Sequence, residues 1–409
     1  MSLFSNLQKR GFVKQITEPE NLAKILDQGH ITAYCGVDPT GSSLHVGHLV
    51  PYLLLRRLQQ HGHKVIVIVG GGTARIGDPS GKTETRKMLS IDEIDANAER
   101  LSQQLKRFLI LDGKSGFLVN NAEWLAPLKY LDFLRDIGSH FSVNRMLSFE
   151  TYKKRLETGL TFLEFNYQLL QSYDYLQLFD RYQCRLQVGG DDQWGNIVAG
   201  IDLIRRLRQE ETYGLTVPLI TRSDGKKMGK TEKGSLFLDA NLTPPYEFYQ
   251  YWRNVPDQDV EQFLKIFTEL SLDEIHDLTR YQDERINHAK ERLAWEITQM
   301  VHGEDEANAC QRAARAAFGG EGDLAGMPTL TISQQEWDQG ILIPDLLVRA
   351  GLSPSKTESR RLIQQGGISI NQLKIDNPEF LVNSKLDLAV PILLKAGKKR
   401  RVHLMIESS

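Results

Sequence analysis

Short apolar runs alternate with longer stretches of helical spacing through the first half of the chain. Residues 31–37 form a β-prone run, and residues 45–60 carry Leu49, Leu53, Leu54 and Leu58 on one helical side. Residues 64–69, KVIVIV, are a continuous apolar strand of the kind buried in a parallel sheet. Strand, helix and strand in that order predict a doubly wound, Rossmann-like α/β domain. Pro51 inside the helix lacks a donor and clashes with the carbonyl four residues back, so a kink is expected near Gly47. Residues 20–28, 91–111 and 161–172 read as further helices, the last with Phe162, Phe165, Leu169 and Leu170 on its apolar side. Residues 184–188 and 217–220 read as strands. From 244 to 318 the pattern is helical throughout, and GGEGDLAGMPTL at 319–330 breaks it as a linker would. Residues 341–409 then predict a helix, a hairpin through ISINQLKI and a basic strand at LKAGKKRRVHLMI. The expected organisation is an α/β domain over 1–222, a lysine-rich loop and helical domain over 223–320, a linker over 321–340 and a small α+β module over 341–409.

With 409 residues, 41% hydrophobic and 25% charged, the chain can bury a sizeable core. The net charge of -2 is unevenly spread: residues 341–409 hold 11 Lys and Arg against 6 Asp and Glu, and the remainder 39 against 46. A module at +5 on a body at -7 points to a polyanion partner for the module. Cys35, Cys184 and Cys310 are far apart and odd in number, so they predict neither a disulfide framework nor a metal-ligand pair and suit a reducing cytoplasm. MSLFSNLQKRG lacks the apolar core of a signal peptide, and no apolar run reaches the roughly 18 residues of a membrane span.

Four stretches carry candidate chemistry. In ITAYCGVDPTGSSLHVGH, residues 31–48, a strand passes through a Gly/Ser turn into a helix. Free N–H groups and the positive dipole end make such a helix start an anion site. His45 and His48, at i and i+3, share one face, and Gly47 leaves room for a flat ligand. An ordinary strand–helix connection with two surface histidines fits as well. GGGTARIGDPSGKTETR, residues 70–86, is not a P-loop, because only three residues separate Gly77 from Gly81. Its Asp78, Lys82 and Arg86 suit a charged ligand or a solvated loop. Tyr167, Gln171 and Asp174 follow one helical face, either a site or a polar edge. CRLQVGGDDQWGN, from Cys184, is a second strand–Gly–helix junction, where Asp191 or Asp192 caps a helix or meets a ribose. Lys226, Lys227, Lys230 and Lys233 lie in a Gly-punctuated loop that reads as a phosphate clamp or a charged surface.

Taken together these stretches resemble a known family. HVGH at 45–48 is similar to the HIGH signature of class I aminoacyl-tRNA synthetases, and KMGKT at 227–231 to their KMSKS loop. AYCGVDPT, GDPSGK, YQLLQSYD and QVGGDDQWGN resemble the bacterial tyrosyl-tRNA synthetases, in order and over essentially the whole length. The last module resembles a small RNA-binding domain shared with a ribosomal small-subunit protein. Departures are Met228-Gly229, Thr231 for the usual serine, Pro51 and Asp191; none removes a charged group that the chemistry needs. The sister tryptophan enzyme shares the fold but is not expected to carry the Tyr34–Asp174 pair or the last module. A non-catalytic RNA-binding relative has no reason to keep both signatures.

The resemblance implies a ligase that joins tyrosine and ATP into tyrosyl-adenylate and pyrophosphate, then passes tyrosine to the terminal ribose of tRNA(Tyr). It implies Thr40 and His45 on the departing pyrophosphate, with Lys82, Arg86, Lys227, Lys230 and Thr231 closing over it. His48 and Gly47 would meet the adenine, and Cys35, Gly36, Asp38, Gly190, Asp192 and Gln193 the ribose and adenylate. Tyr34 and Asp174 would take the phenol, and Asp78, Tyr167 and Gln171 the ammonium group. Arg360, Arg361, Lys398, Lys399, Arg400 and Arg401 would meet RNA phosphates, and the helical region the anticodon. Lys153, Lys154, Arg155, Arg205, Arg206 and Arg208 extend that track or form solvated helix faces. The same resemblance implies Mg2+ accompanying ATP, no metal held by the protein itself, a homodimer and a cytoplasmic enzyme.

Overall fold

The computed structural model describes residues 1–80, 89–225, 227–231, 234–281, 283, 285–317, 328–371, 373–384, 386, 392–397 and 400–407; at 150, 151, 154, 158, 230, 231 and 317 it describes the backbone alone. The chain divides into two compact units, one of residues 1–243 with 256–283 and one of residues 244–255 with 284–409.

The first unit is built on a six-stranded sheet of β1 (Gln15–Ile16), β2 (Thr32–Val37), β3 (Lys64–Val69), β4 (Gly116–Asn120), β5 (Cys184–Gly190) and β6 (Tyr213–Val217). Their order is β1-β6-β5-β2-β3-β4. All neighbours run parallel except the edge pair β1–β6. The chain moves outward from β2 to β3 and β4, then returns to β5 on the other side of β2. That reversal makes a crevice at the carboxyl ends of β2 and β5, where ligands of open α/β sheets bind. The doubly wound reading of the pattern therefore describes the sheet.

The helices needed below are α1 (Leu3–Arg10), α2 (Val46–Gln60), α3 (Ile91–Leu105), α4 (Tyr167–Tyr182), α5 (Trp194–Arg208) and α6 (Val260–Phe267). Leu49, Leu53, Leu54 and Leu58 of α2 are all buried, and α2 is one helix with Pro51 inside it. The core on one side of the sheet joins Tyr34, Ile66 and Ile68 to Leu169, Tyr175, Leu176 and Leu203 from α4 and α5.

Several expected elements differ. The last parallel strand is Tyr213–Val217, not 217–220, and α3 stops at Leu105 rather than 111. The helix expected over 161–172 is broken at Asn166, whose side-chain amide donates to the Phe162 carbonyl (2.6 Å) and competes with the helix ladder. Phe162, expected on the apolar side, is 68% exposed. Strands β1 and β4 were not expected.

In the second unit the helices Pro245–Arg253, Ile286–His302 and Glu304–Ala317 precede a five-stranded sheet. The sheet contains β7 (Thr329–Ser333), β8 (Ile368–Ile370), β9 (Leu373–Ile375), β10 (Ile392–Ala396) and β11 (Arg400–Glu407), in the order β9-β8-β10-β11-β7. Here the stretch expected as linker to 340 ends early. Residues 329–333 pair in parallel with β11, and Gln334–Gln339 is a helix capped by Ser333. Ile332 and Trp337 belong to the module's core, which rewards ordering this segment.

Candidate active site

Two hydrogen-bond networks line the crevice between β2 and β5. The first starts at Asp174 on α4, which is buried. Trp124 Nε1 donates to its Oδ1 (2.7 Å) and Asn121 Nδ2 to its Oδ2 (2.9 Å). Asn121 is itself fixed, because Gly72 N donates to its Oδ1 (2.8 Å) and its Nδ2 lies 3.0 Å from Thr73 Oγ1. Thr73 Oγ1 donates to Asp38 Oδ1 (2.7 Å), and Tyr167 Oη donates to Asp38 Oδ2 (2.9 Å). A continuous chain of contacts thus runs from Trp124 to Tyr167. Burial pushes the Asp174 carboxyl up to about 7, with the Asp38 charge adding to it and the Asn121 and Trp124 bonds opposing it. Tyr34, on β2, is 2% exposed and its ring lies 5.1 Å from that of Tyr175. Its hydroxyl is buried with no hydrogen-bond partner among the described residues. Burial raises its pKa well above the ordinary value, and the Asp174 charge adds to the effect.

The second network centres on Asp78. Ser80 N donates to its Oδ1 (2.9 Å) and Gln193 Nε2 to its Oδ2 (2.9 Å). Gln171 Nε2 donates to Gln193 Oε1 (3.3 Å), and Asn196 Nδ2 reaches both Gln171 Oε1 (3.0 Å) and Gln193 Oε1 (3.3 Å). Asp192 lies nearby, and burial foremost, with the Asp78 charge next, raises its carboxyl above the usual range. The crevice therefore presents carboxylates on one side, an environment for a cationic group.

The helix start at 45–48 follows β2 through the Gly/Ser turn. His45 caps α2: Gly47 N donates to His45 Nδ1 (3.1 Å), and His45 N donates to His48 Nδ1 (3.2 Å). The two rings stack 3.7 Å apart. A Cβ on Gly47 would come 2.9 Å from His45 Cε1, so glycine is what lets the His45 ring fold back over the helix end. Backbone bonds from Val46 N to Leu236 O (3.0 Å) and from Leu238 N to Leu44 O (2.9 Å) zip this segment to the chain that follows the lysine loop. The loop itself returns through Met228 N to Ile220 O (2.9 Å) and Leu236 N to Gly229 O (2.7 Å). Met228 is buried. Gly229 has φ +78°, and a Cβ there would lie 2.3 Å from Val46 Cγ2. Those two facts give a physical reason for the Met228-Gly229 pair in KMGKT.

The remaining expected residues fall as follows. Asp38, expected at a ribose, accepts from Thr73 and Tyr167. Thr40 is exposed, with its N–H on the Asp38 carbonyl (2.8 Å). Cys35 is buried at the end of β2 beside exposed Gly36, and burial pushes its thiol up to about 12. Gly190 closes β5 next to Asp192. Neither Asp191 nor Asp192 caps α5, whose N-cap residue Gln193 makes no side-chain capping bond; Asp191 instead accepts from Gln15 Nε2 (2.6 Å). Lys227 is exposed and bridges to Thr221, and the backbone of Lys230 and Thr231 pairs with Ser235 and Gly234. Lys82, Arg86, Lys226, Lys233, Lys398 and Lys399 lie outside the described residues.

Of the basic residues expected on RNA, Arg360 is exposed, Arg361 pairs with Glu358 (2.6 Å) and Arg400 donates to the Leu352 carbonyl (2.8 Å). Arg401 is half-buried, and burial lowers its pKa. Arg155 is not on a solvated track: it is buried, and its Nη2 donates to both Glu164 carboxylate oxygens (2.9 and 3.0 Å). Arg205 and Arg208 pair with Asp202 and Asp180 (2.8 and 2.7 Å), whereas Arg206 is exposed. Sequence reasoning missed Thr73, Asn121, Trp124 and Asn196. Thr73 and Asn196 lie inside stretches singled out above, GGGTARIGDPSGKTETR and QVGGDDQWGN, whereas Asn121 and Trp124 follow a strand that the pattern did not announce.

Comparison with known proteins identifies the family of the chain. The family described as tRNA synthetases class I (W and Y) matches residues 26–319, and the one described as Tyrosine--tRNA ligase SYY-like C-terminal domain matches residues 321–404. The chain is 55% identical over 400 residues to the Tyrosine--tRNA ligase of Treponema denticola, covering 98% of each chain. It is 54% identical over 404 residues to that of Treponema pallidum, again covering 98% of each. A C-terminally truncated Aspergillus nidulans mitochondrial tyrosyl-tRNA synthetase superposes with TM-score 0.69 at 31% identity, over 78% of this chain and 94% of that one.

Proposed function

This chain belongs to the tyrosine–tRNA ligases of class I, and from that membership we propose how its own residues divide the work. It is an aminoacyl-tRNA synthetase that uses tyrosine, ATP and tRNA(Tyr). Tyrosine's carboxylate oxygen attacks the α-phosphorus of ATP. The bond from that phosphorus to the bridging oxygen breaks, and pyrophosphate leaves with the electron pair. The attacking carboxylate is already ionised, so no side chain acts as general base; positioning and charge stabilisation do the work. A hydroxyl of the terminal ribose of tRNA(Tyr) then takes the tyrosyl group and AMP departs.

The observation that carries tyrosine recognition is the buried, unpartnered Tyr34 hydroxyl beside Asp174. A buried hydroxyl without a partner is costly, and a substrate phenol bonded to Tyr34 and Asp174 removes that cost. Asp78, Tyr167 and Gln171 receive the ammonium group, with Asp38 acting through Tyr167. Cys35, Gly36, Asp38, Gly190, Asp192 and Gln193 hold the ribose and adenylate, and Gly47 and His48 the adenine. Lys227 and Lys230, with Lys82 and Arg86, offset charge on the leaving pyrophosphate and Thr40, His45 and Thr231 donate hydrogen bonds to it, while Mg2+ accompanying ATP would supply further positive charge there.

The regions 1–222 and 223–320 serve catalysis and anticodon contact, and the module from 341, together with β7, meets RNA through Arg360, Arg361, Lys398, Lys399, Arg400 and Arg401. A homodimer is supported by exposed apolar Tyr130, Leu131, Val143, Leu156, Phe162 and Leu163; sedimentation velocity tests it. No helix among the described residues is long and apolar enough to cross a membrane, which suits a cytoplasmic enzyme. Pyrophosphate exchange against all twenty amino acids tests the whole reading: tyrosine alone should support it, and exchange driven by tryptophan or by none would overturn it.

A further inference from the structure

The lysine loop is held at both ends, and one of the two holds lies outside every signature motif. Residues 220–225 and 227–228 pair as a hairpin, closed by the Met228–Ile220 bond, the Thr221–Lys227 bridge and a turn from Gly225 N to Arg222 O (2.9 Å). At its tip, Ser223 N donates to Asp259 Oδ1 (3.0 Å) and Oδ2 (3.1 Å), and Ser223 Oγ donates to Oδ2 (3.2 Å). Asp259 is 5% exposed and occupies the N-cap position of α6. An aspartate there ordinarily accepts from the first turn of its own helix. Asp259 makes no such bond. Its carboxylate is turned to the hairpin.

The far end of α6 is gripped from the signature helix. Arg57 of α2 donates to the Thr268 carbonyl (2.5 Å) and pairs with Glu269 (3.1 Å), while Arg10 of α1 donates to the carbonyls of Lys265 (3.0 Å) and Leu270 (2.6 Å). Two cations on the carboxyl end of a helix complement its dipole. The connections close a ring. The start of α2 meets the lysine loop through Val46–Leu236 and the Gly229–Val46 contact. The loop's hairpin meets Asp259, α6 spans about 12 Å at 1.5 Å per residue, and Arg57 returns to α2. A chain of fixed contacts of this kind sets where the loop lysines stand relative to His45.

We propose that Asp259 is a positioning residue for adenylate formation: through Ser223 it fixes the hairpin that presents Lys227 and Lys230 to the leaving pyrophosphate. This rests on the assignment of the lysine loop above. Misplacing a charge-stabilising group by about 1 Å costs on the order of a hundredfold in rate.

The test is single-turnover formation of tyrosyl-adenylate by the full chain, alongside equilibrium tyrosine binding and thermal melting. Asp259→Ala should slow the step by about ten- to a hundredfold, with tyrosine affinity within twofold of wild type. Asp259→Asn keeps one oxygen for the Ser223 N–H and should fall between the two, and Ser223→Ala should lose a few-fold only. Should Asp259→Ala fail to fold, Asp259→Asn and Ser223→Ala decide the matter by the same order of rates. Lys230→Ala is the control for the loop. If it is slow while Asp259→Ala or Asp259→Asn runs at the wild-type rate, Asp259 has no positioning role. If Lys230→Ala is also unimpaired, the loop assignment itself fails. A rate loss in Asp259→Ala matched by an equal loss of tyrosine affinity marks a merely structural residue and likewise overturns the proposal.

Discussion

Replacing Asp174 by asparagine changes one atom and should be costly for a reason visible in the hydrogen-bond directions. Both carboxylate oxygens accept an N–H, from Trp124 and from Asn121. An amide at 174 has one oxygen and one NH2, so either rotamer sets a donor against a donor. Trp124 cannot reverse its role. Asn121 cannot flip, because its carbonyl takes Gly72 N–H and its amide faces Thr73. One buried donor is therefore stranded, at about 1–3 kcal/mol. The acceptor proposed for the substrate phenol is compromised too, which corresponds to roughly five- to 150-fold in tyrosine affinity. The ionisation of Asp174 adds a pH signature. Its carboxyl sits near 7, above the usual value of 3.8, so the folded chain disfavours the charged form. That contribution to stability is present below the unfolded value and lost as pH rises through about 7. Tyrosine, donating its phenol to the carboxylate, should bind more tightly over the same rise. Melting with and without tyrosine from pH 6 to 8, with KM for tyrosine and for ATP from pyrophosphate exchange, checks both. In Asp174→Asn the tyrosine KM should rise while the ATP KM hardly moves, and the pH slope of the ligand-free melt should flatten. An unchanged tyrosine KM, or equal losses for both substrates, would refute the pocket as described.

Gly229→Ala should slow adenylate formation by about a hundredfold with tyrosine affinity kept, because its Cβ meets Val46 at 2.3 Å; adding Val46→Ala should restore part of the single-turnover rate. Lys230→Ala and His45→Ala should each lose on the order of 10²–10³ in that rate, with little change in tyrosine binding by equilibrium dialysis. Truncation after Ala317 should leave pyrophosphate exchange nearly intact and cripple tRNA charging, whereas truncation after Gly340 strands β7 without β11 and should give a less soluble product in the same assays.

Much of this was legible in the residues, and what was not has a physical cause. KVIVIV is apolar at five of its six positions because β3 is flanked by β2 and β4 in the middle of a parallel sheet, so period and burial agree. Strand β4, GFLVN, is as short as a turn of helix and sits next to a Gly-containing loop, so its pattern cannot be told from either. Strand β7 was hidden for another reason. It joins β11 across more than 60 residues of chain, and a Gly-rich approach masks a pairing that only the partner strand makes favourable.

The site divides along the same line. Groups that act at a helix start or in a Gly-punctuated loop announce themselves, because local backbone geometry dictates their spacing: His45, Gly47 and Gly229 are such residues. Thr73, Asn121, Trp124, Asn196 and Asp259 are ordinary in sequence, and their roles exist only where the sheet order brings strand ends together. Asp259 is the clearest instance. As an aspartate opening a helix it reads as a cap, and nothing local distinguishes a carboxylate that serves its own helix from one that serves a hairpin 36 residues away. Its partner is set by where α6 is held, which depends on Arg57 and Arg10 reaching the helix's other end. The HVGH and KMGKT signatures thus name the chemistry, while the precision with which they meet is distributed over residues outside both.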